Sequence, residues 1–284
     1  MLKLKTDWTQ YLHRLRRREI EIIFRHCPPN AFRRGLELGA GDAFQSDLLA
    51  RYVETLVVTD FTPRILEHPN TVQRSHRVCD AEEVAQAFAP GEFDFVFSSN
   101  MMEHVPHPDR ALAGVHQVLR DDGIAIHVMP SPLWKFCQMA GFHLDAVLTR
   151  LERYSAGKLP QFNGDSAAAA SADDNNLKLA RSYGRLRRLL WPVPHGVSAK
   201  NWQEFFVFRR EYWRKQLEAA GFEVITVLRG PVSSGYGFGF DGARALLEQM
   251  GAASEFVYVT QKKGCSSKAA AYFRNQGGAK GGAA

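Results

Sequence analysis

Residues 37–43 read Glu37-Leu38-Gly39-Ala40-Gly41-Asp42-Ala43, between a short apolar run and a helical one. Glycines at a strand-to-helix turn let backbone approach a ligand closely and leave N–H groups pointing at it. The next apolar run ends in Asp60, 21 residues beyond Gly39. A carboxylate at that point can accept both hydroxyls of a ribose, the logic of doubly wound nucleoside-binding folds. A diphosphate would favour a third glycine where Phe44 stands, and Glu37 would repel it. Glu37 suits a cationic group instead. Three side chains are candidates for proton transfer. His104 follows the fourth apolar run, His195 lies in Pro194-His195-Gly196, and Tyr236 lies in the glycine-rich stretch 233–240. Each also has a plainer reading: a locally bonded histidine, a turn residue and a loop aromatic.

The elements that must position these residues alternate. Strands are expected at Gly35–Leu38, Leu56–Thr59, Thr71–Val78, Phe93–Ser98 and Gly123–Met129, with helices at Phe44–Tyr52, Pro63–Leu66, Ala81–Phe88 and Pro108–Leu119. That alternation predicts a parallel sheet covered by helices on both faces. An arginine-rich helix over residues 9–26 precedes it and ends at Cys27-Pro28-Pro29. Residues 131–200 break the rhythm: a helix over Ser131–Tyr154, a low-complexity loop at 161–176 and a basic helix over Leu177–Trp191. The pattern resumes with a helix at Arg209–Ala220, a strand at Phe222–Leu228, a helix at Asp241–Met250 and a strand at Glu255–Gln261. The division that follows is 1–32 as a basic helical segment, 33–130 as a core, 131–200 as a helical insertion, 201–262 as the rest of the sheet, and 263–284 as a disordered Gly/Ala/Lys tail.

With the order of motifs in view, the chain resembles a class I S-adenosylmethionine-dependent methyltransferase of the small-molecule type called type 11. The resemblance rests on Glu37–Ala43, Val58-Thr59-Asp60, Val78-Cys79-Asp80-Ala81-Glu82-Glu83, and Phe93–Asn100 running into Met101-Met102-Glu103-His104. It covers about residues 33–130 and, more loosely, 205–260. It implies a doubly wound, Rossmann-like α/β sheet of seven strands, with an N-terminal helix and a helical insertion after the fifth strand. It implies S-adenosyl-L-methionine as cofactor and no metal. Gly39, Ala40 and Gly41 would line the methionine part, with Glu37 beneath it. Asp60 would hold the ribose, with Phe61 beside the adenine. Asp80 and the Ala81 N–H would meet the adenine edge, although Asp80 is also spaced to cap the next helix. Ser99 and Asn100 would face the methionine moiety. One departure is Ala43, where many members carry a third glycine.

Charge is segregated. Net charge is +6 over residues 1–34, −9 over 35–130, +5 over 131–200, −1 over 201–260 and +5 over 261–284. Basic appendages on an acidic core suit an anionic partner, whether a phosphorylated substrate, a membrane surface or RNA. The aromatics of the insertion among its arginines suit an amphipathic anionic acceptor or a membrane interface, and equally helices packed as a substrate lid. Residues 191–208 also resemble a stretch of methyltransferases from bacterial polysaccharide gene clusters. The expected activity is therefore methyl transfer, chiefly to oxygen, on a small or lipid- or sugar-linked acceptor, with peripheral membrane contact through the basic helices. The alternatives are an RNA methyltransferase and a non-catalytic cofactor-binding scaffold. No aromatic RNA-binding motif favours the former. Composition is ordinary, with 45% hydrophobic and 23% charged residues, which excludes a wholly disordered chain. The first residues carry no apolar signal core, and the four cysteines are dispersed, so a reduced, cytoplasmic protein is expected.

Overall fold

Among the described residues, seven strands form one sheet: β1 (Phe32–Leu38), β2 (Val53–Asp60), β3 (Arg74–Val78), β4 (Phe93–Ser99), β5 (Leu119–Pro130), β6 (Phe222–Arg229) and β7 (Glu255–Lys262). Their order is β3-β2-β1-β4-β5-β7-β6. The first five pair in parallel, and β6 and β7 pair antiparallel. The order reverses between β1 and β4. In open α/β sheets, ligands bind outside the carboxyl ends of the strands at such a reversal. This is the expected doubly wound sheet. The computed structural model describes residues 7–155, 191–198, 200–233, 235–238 and 240–274.

The chain divides into two compact units. The sheet unit comprises Arg16–Met129, Arg210–Gly230 and Glu255–Ala284. Alternate residues of a strand face opposite sides, and both sides are apolar here. On one side, Leu56, Phe95, Phe97, Ile124, Ile126 and Val257 form a core with Ile20 and Ile23 of helix α1 (Trp8–Ile23), Phe24 just after it, and Leu49 of α2 (Phe44–Leu49). The residues between them, among them Val96, Ala125, His127 and Tyr258, point the other way and are equally buried. That side is covered by α4 (Pro108–Val118), which follows the one-turn α3 (Val84–Ala87), and by α7 (Arg210–Ala219). Trp213 and Leu217 of α7 are buried, and Tyr258 Oη donates to the Arg210 carbonyl at 3.0 Å.

The helical unit comprises Met1–Leu15, Pro130–Arg209 and Pro231–Ser254. It contains α5 (Pro132–Ser155), α6 (Asn201–Val207) and α8 (Asp241–Gln249). A buried ion pair joins α5 to α6: Lys135 Nζ meets Glu204, and also donates to Gln138 at 2.7 Å and Asn201 at 2.6 Å. Glu204 in turn accepts from the backbone N–H groups of His195 at 2.5 Å and Gly196 at 2.9 Å. Two buried charges are tolerable only when each has such partners.

Several elements differ from the sequence expectation. The third strand begins at Arg74, because Thr71 and Arg74 close a turn through Thr71 N to the Arg74 carbonyl at 2.8 Å. Residues 63–67 form a 3-10 turn in which Ile65 alone is buried, and residues 81–87 split into a 3-10 turn and α3. The expected disordered tail needs correction over residues 263–274. A 3-10 turn at Lys268–Ala270 leads into α9 (Ala271–Arg274), and Phe273 is fully buried in the sheet core beside Phe24. Two aromatics in a Gly/Ala/Lys-rich context supply enough apolar surface to dock that turn. The low-complexity loop at 161–176 and the basic helix up to residue 190 lie outside the described residues.

His127 is fully buried on β5, with Nδ1 2.8 Å from Ser98 Oγ, and burial pulls its pKa down to about 4. The unfolded imidazole titrates near 6.5, so the unfolded chain binds more protons between those values, and stability falls as pH drops through that window. This one group accounts for up to about 3 kcal/mol of that loss. Denaturant titrations of the His127→Gln variant at pH 7.5 and 4.5 should show an acid loss smaller by roughly that amount. An unchanged loss would contradict the assignment.

Candidate active site

The glycine turn between β1 and α2 is built by three left-handed residues: Gly39 at φ 71°, Gly41 at φ 57° and Ala43 at φ 57°. Two of the three are glycines for different reasons. A methyl on Gly39 would lie 2.3 Å from Met101 Cγ, so the turn and the segment after β4 touch there. A methyl on Gly41 would meet no atom within 4 Å, so this face of the turn is open. Ala43 takes the third left-handed position without glycine's freedom. It is the place where the chain departs from the motif it resembles.

Asp60 is buried at the end of β2 and fastens this turn. Its Oδ2 accepts from the Gly41 N–H at 2.9 Å, and Oδ1 accepts from Thr62 N at 2.9 Å and Thr62 Oγ1 at 2.7 Å. The carboxylate therefore links the two loops that flank the carboxyl ends of β1 and β2. Beneath the turn, Glu37 is 2% exposed. Its Oε2 has no hydrogen-bond partner among the described residues, and burial pushes its pKa up to about 7, with the Ser46 hydroxyl acting in the opposite direction. An orphaned buried carboxylate oxygen beside an open glycine face fits a cationic ligand group.

At the end of β4, Ser99 is buried and Asn100 adopts φ 48°. Asn100 Nδ2 donates to Ser99 Oγ at 3.2 Å and to Glu255 Oε1 at 3.3 Å. Glu37, Gly39, Ala40, Gly41, Asp60, Ser99 and Asn100 thus gather at the carboxyl ends of β1, β2 and β4. Asp80 and Ala81 follow β3. Asp80 is exposed and caps the turn after it, Oδ1 accepting from Glu82 N at 2.9 Å. Ala81 is buried, and Phe61 is 55% exposed beside Asp60.

His104 closes a 3-10 turn (Met102–His104) after β4, and burial pulls its pKa down to about 4. At neutral pH it is an uncharged imidazole. Its Nε2 lies 3.9 Å from a Glu103 carboxylate oxygen. His195 and Tyr236 belong to the helical unit. His195 packs on Trp134, ring centroids 4.5 Å apart. Tyr236 is buried against Gly141 and Phe238. Burial, with Asp145 adding to it, raises its phenol above the ordinary range, so Tyr236 keeps its proton.

The residue pattern missed a buried charge network beside Ser99. Arg16 of α1 donates to Glu19 Oε2 at 2.8 Å and Ser99 Oγ at 2.8 Å, and lies 3.7 Å from Glu255. Glu19 Oε1 accepts from Ser99 Oγ at 2.9 Å and Gln45 Nε2 at 2.8 Å. Burial, and then the neighbouring Glu19, raise the Glu255 pKa well above the ordinary carboxylate value. In the sequence, Arg16 and Glu19 sit in a run of arginines that reads as a solvated face. Only the alternation with Ile20 and Ile23 hints that one side turns inward.

The fold recurs in known proteins. Residues 36–127 match the family profile described as a methyltransferase domain. A protein of Listeria monocytogenes described as an S-adenosylmethionine-dependent methyltransferase superposes with TM-score 0.52 at 13% identity, over 87% of this chain and 98% of that one. A chain from the Haloferax volcanii complex of the Trm112 methyltransferase activator and a methyltransferase gives TM-score 0.51 at 12% identity, over 89% and 91%. In sequence, the ubiquinone biosynthesis O-methyltransferase of Xanthomonas campestris pv. campestris (strain B100) is 31% identical over 96 residues, 32% of this chain and 40% of the relative. A methyltransferase of Mycobacterium sp. (strain JLS) is 31% identical over 156 residues, 53% and 62%. The chain thus spans between 40% and 62% of the length of these two relatives. The fold is that of the class I S-adenosylmethionine-dependent methyltransferases. Within that fold, residues 36–127 match a methyltransferase domain.

The raised Glu37 carboxyl yields a linked pair of outcomes. Its folded pKa of about 7 exceeds the ordinary 4.5, so the ligand-free protein loses stability as pH rises between them. Glu37→Gln should stabilise the ligand-free protein at pH 8 by up to about 3 kcal/mol. The same change should weaken S-adenosylmethionine binding by about tenfold or more. It should also abolish the fall in affinity expected below about pH 7. Calorimetry across pH 6–8 on both proteins checks this. Equal affinity and equal pH dependence would refute a role for Glu37.

Proposed function

We propose that this chain is an S-adenosylmethionine-dependent methyltransferase acting on a hydroxyl of a small or lipid- or sugar-linked acceptor. The observation that carries the cofactor assignment is the open Gly41 face flanked by the Asp60 carboxylate and the orphaned Glu37 oxygen. In this reading, Asp60 exchanges its contacts with the Gly41 turn for the ribose hydroxyls. Glu37 pairs with the amino group of the methionine part, which Gly39, Ala40 and Gly41 line. Phe61 covers the adenine, and Asp80 and the Ala81 N–H meet its edge. Ser99 and Asn100 flank the methionine moiety.

When bound, the cofactor supplies a methyl group already activated on a sulfonium. The protein's task is then mainly to align the acceptor in a dry site. Support for oxygen as the methylated atom comes from the name of the Xanthomonas relative and from His104. His104 is uncharged at neutral pH and so able to take a proton, but a group of pKa about 4 is a weak base. It matches an acceptor that loses its proton readily, such as a phenol, better than an alkyl alcohol.

The test is transfer of labelled methyl from S-adenosylmethionine into extracts enriched in phenolic, lipid-linked and sugar-linked hydroxyl compounds. Label in an ether product is the expected result. Label only in RNA, or in nothing despite cofactor binding, would overturn the acceptor assignment. With His104 as base, the acid limb of kcat should lie near pH 4, well below that of an ordinary histidine. His104→Ala should reduce kcat by about a hundredfold. An acid limb near 6.5, or full activity in the variant, would remove His104 from the mechanism.

A further inference from the structure

Residues 191–209 of the helical unit present an aromatic face to which the cofactor site described above assigns no role. Trp191, Val197, Trp202 and Phe206 are each between 50% and 57% exposed. Val197, Ser198, Trp202, Gln203, Phe206 and Val207 line an open groove of about 530 Å³. Large aromatics left half in water on a folded surface mark an interaction site. The face is firmly built from behind. Phe208 is buried, Asn201 Nδ2 donates to the Pro192 carbonyl at 2.8 Å, and Glu204 holds the His195 and Gly196 N–H groups.

Charge identifies the occupant. The segment carries one acid, Glu204, and that carboxylate is buried against Lys135. The charges it exposes are those of Lys200 and Arg209, and the Arg209 guanidinium lies 4.4 Å from the Phe206 ring centroid. Cations set among tryptophan and phenylalanine, with no exposed acid, match the boundary between anionic headgroups and acyl chains. We propose that this face docks the protein on an anionic lipid bilayer. Trp202 and Phe206 enter the boundary layer, Lys200 and Arg209 meet the lipid phosphates, and the groove takes a segment of acyl chain. This goes beyond the methyl-transfer reading and stands without it.

The full chain is sedimented with vesicles of phosphatidylcholine alone and of phosphatidylcholine mixed with phosphatidylglycerol. Binding to the mixed vesicles alone is expected. It should weaken about tenfold or more in the Trp202→Ala/Phe206→Ala double variant. Arg209→Glu should weaken it about fivefold or more, and added salt should weaken it too. Circular dichroism confirms that the variants fold. Should the double variant fail to fold, quenching of tryptophan emission by lipids brominated on the acyl chains decides the matter. Most of the quenching should vanish in Trp202→Phe while vesicle binding persists. Failure of the wild type to bind anionic vesicles, binding or quenching indifferent to these substitutions, or self-association through this face in place of lipid binding would each overturn the proposal.

Discussion

The hydrogen bond from the Gly41 N–H to Asp60 Oδ2 organises the ligand end of the sheet. It ties the loop after β1 to the loop after β2, where the strand order places a ligand crevice. The turn it fastens can form only because Gly39 and Gly41 accept left-handed backbone, and Met101 then fills the space that a side chain on Gly39 would need. Asp60, the glycine turn and the segment after β4 therefore form one connected structure. A ligand replacing the Asp60 contacts would be felt in all three.

A second constraint is the handling of buried charge. The sheet unit places Glu37, Glu19, Glu103 and Glu255 almost wholly out of solvent, with Arg16 beside two of them. Such an arrangement raises the Glu37 and Glu255 pKa values and lowers stability unless other groups compensate. Within the network Arg16, Gln45 and Ser99 donate to Glu19, and Asn100 donates to Glu255 Oε1, while Glu255 Oε2 and Glu37 Oε2 have no hydrogen-bond partner among the described residues. In the helical unit the Lys135–Glu204 pair is satisfied on every side and holds a loop and two helices in register.

The sheet and the glycine turn are legible in the sequence because both are local. Short apolar runs mark β1, β2, β4, β6 and β7, and the glycine turn lies within seven residues of one stretch. Asp80 had two readings, and the structure displays the capping one directly. The Arg16 network was illegible because it joins residues 16, 19, 99 and 255, and no single window contains more than two of them. The docking of Phe273 was hidden by the glycine- and alanine-rich composition around it. The aromatic face at Trp202 and Phe206 was legible only as an aromatic-rich stretch. Glu204 and Phe208, buried in the same segment, set its direction.

The most direct measurement is calorimetric titration of the protein with S-adenosylhomocysteine, beside the Asp60→Ala variant. The account predicts binding by the wild type with Kd of about micromolar order, weakened tenfold or more in the variant. Absence of binding by the wild type, or equal binding by both proteins, would contradict it.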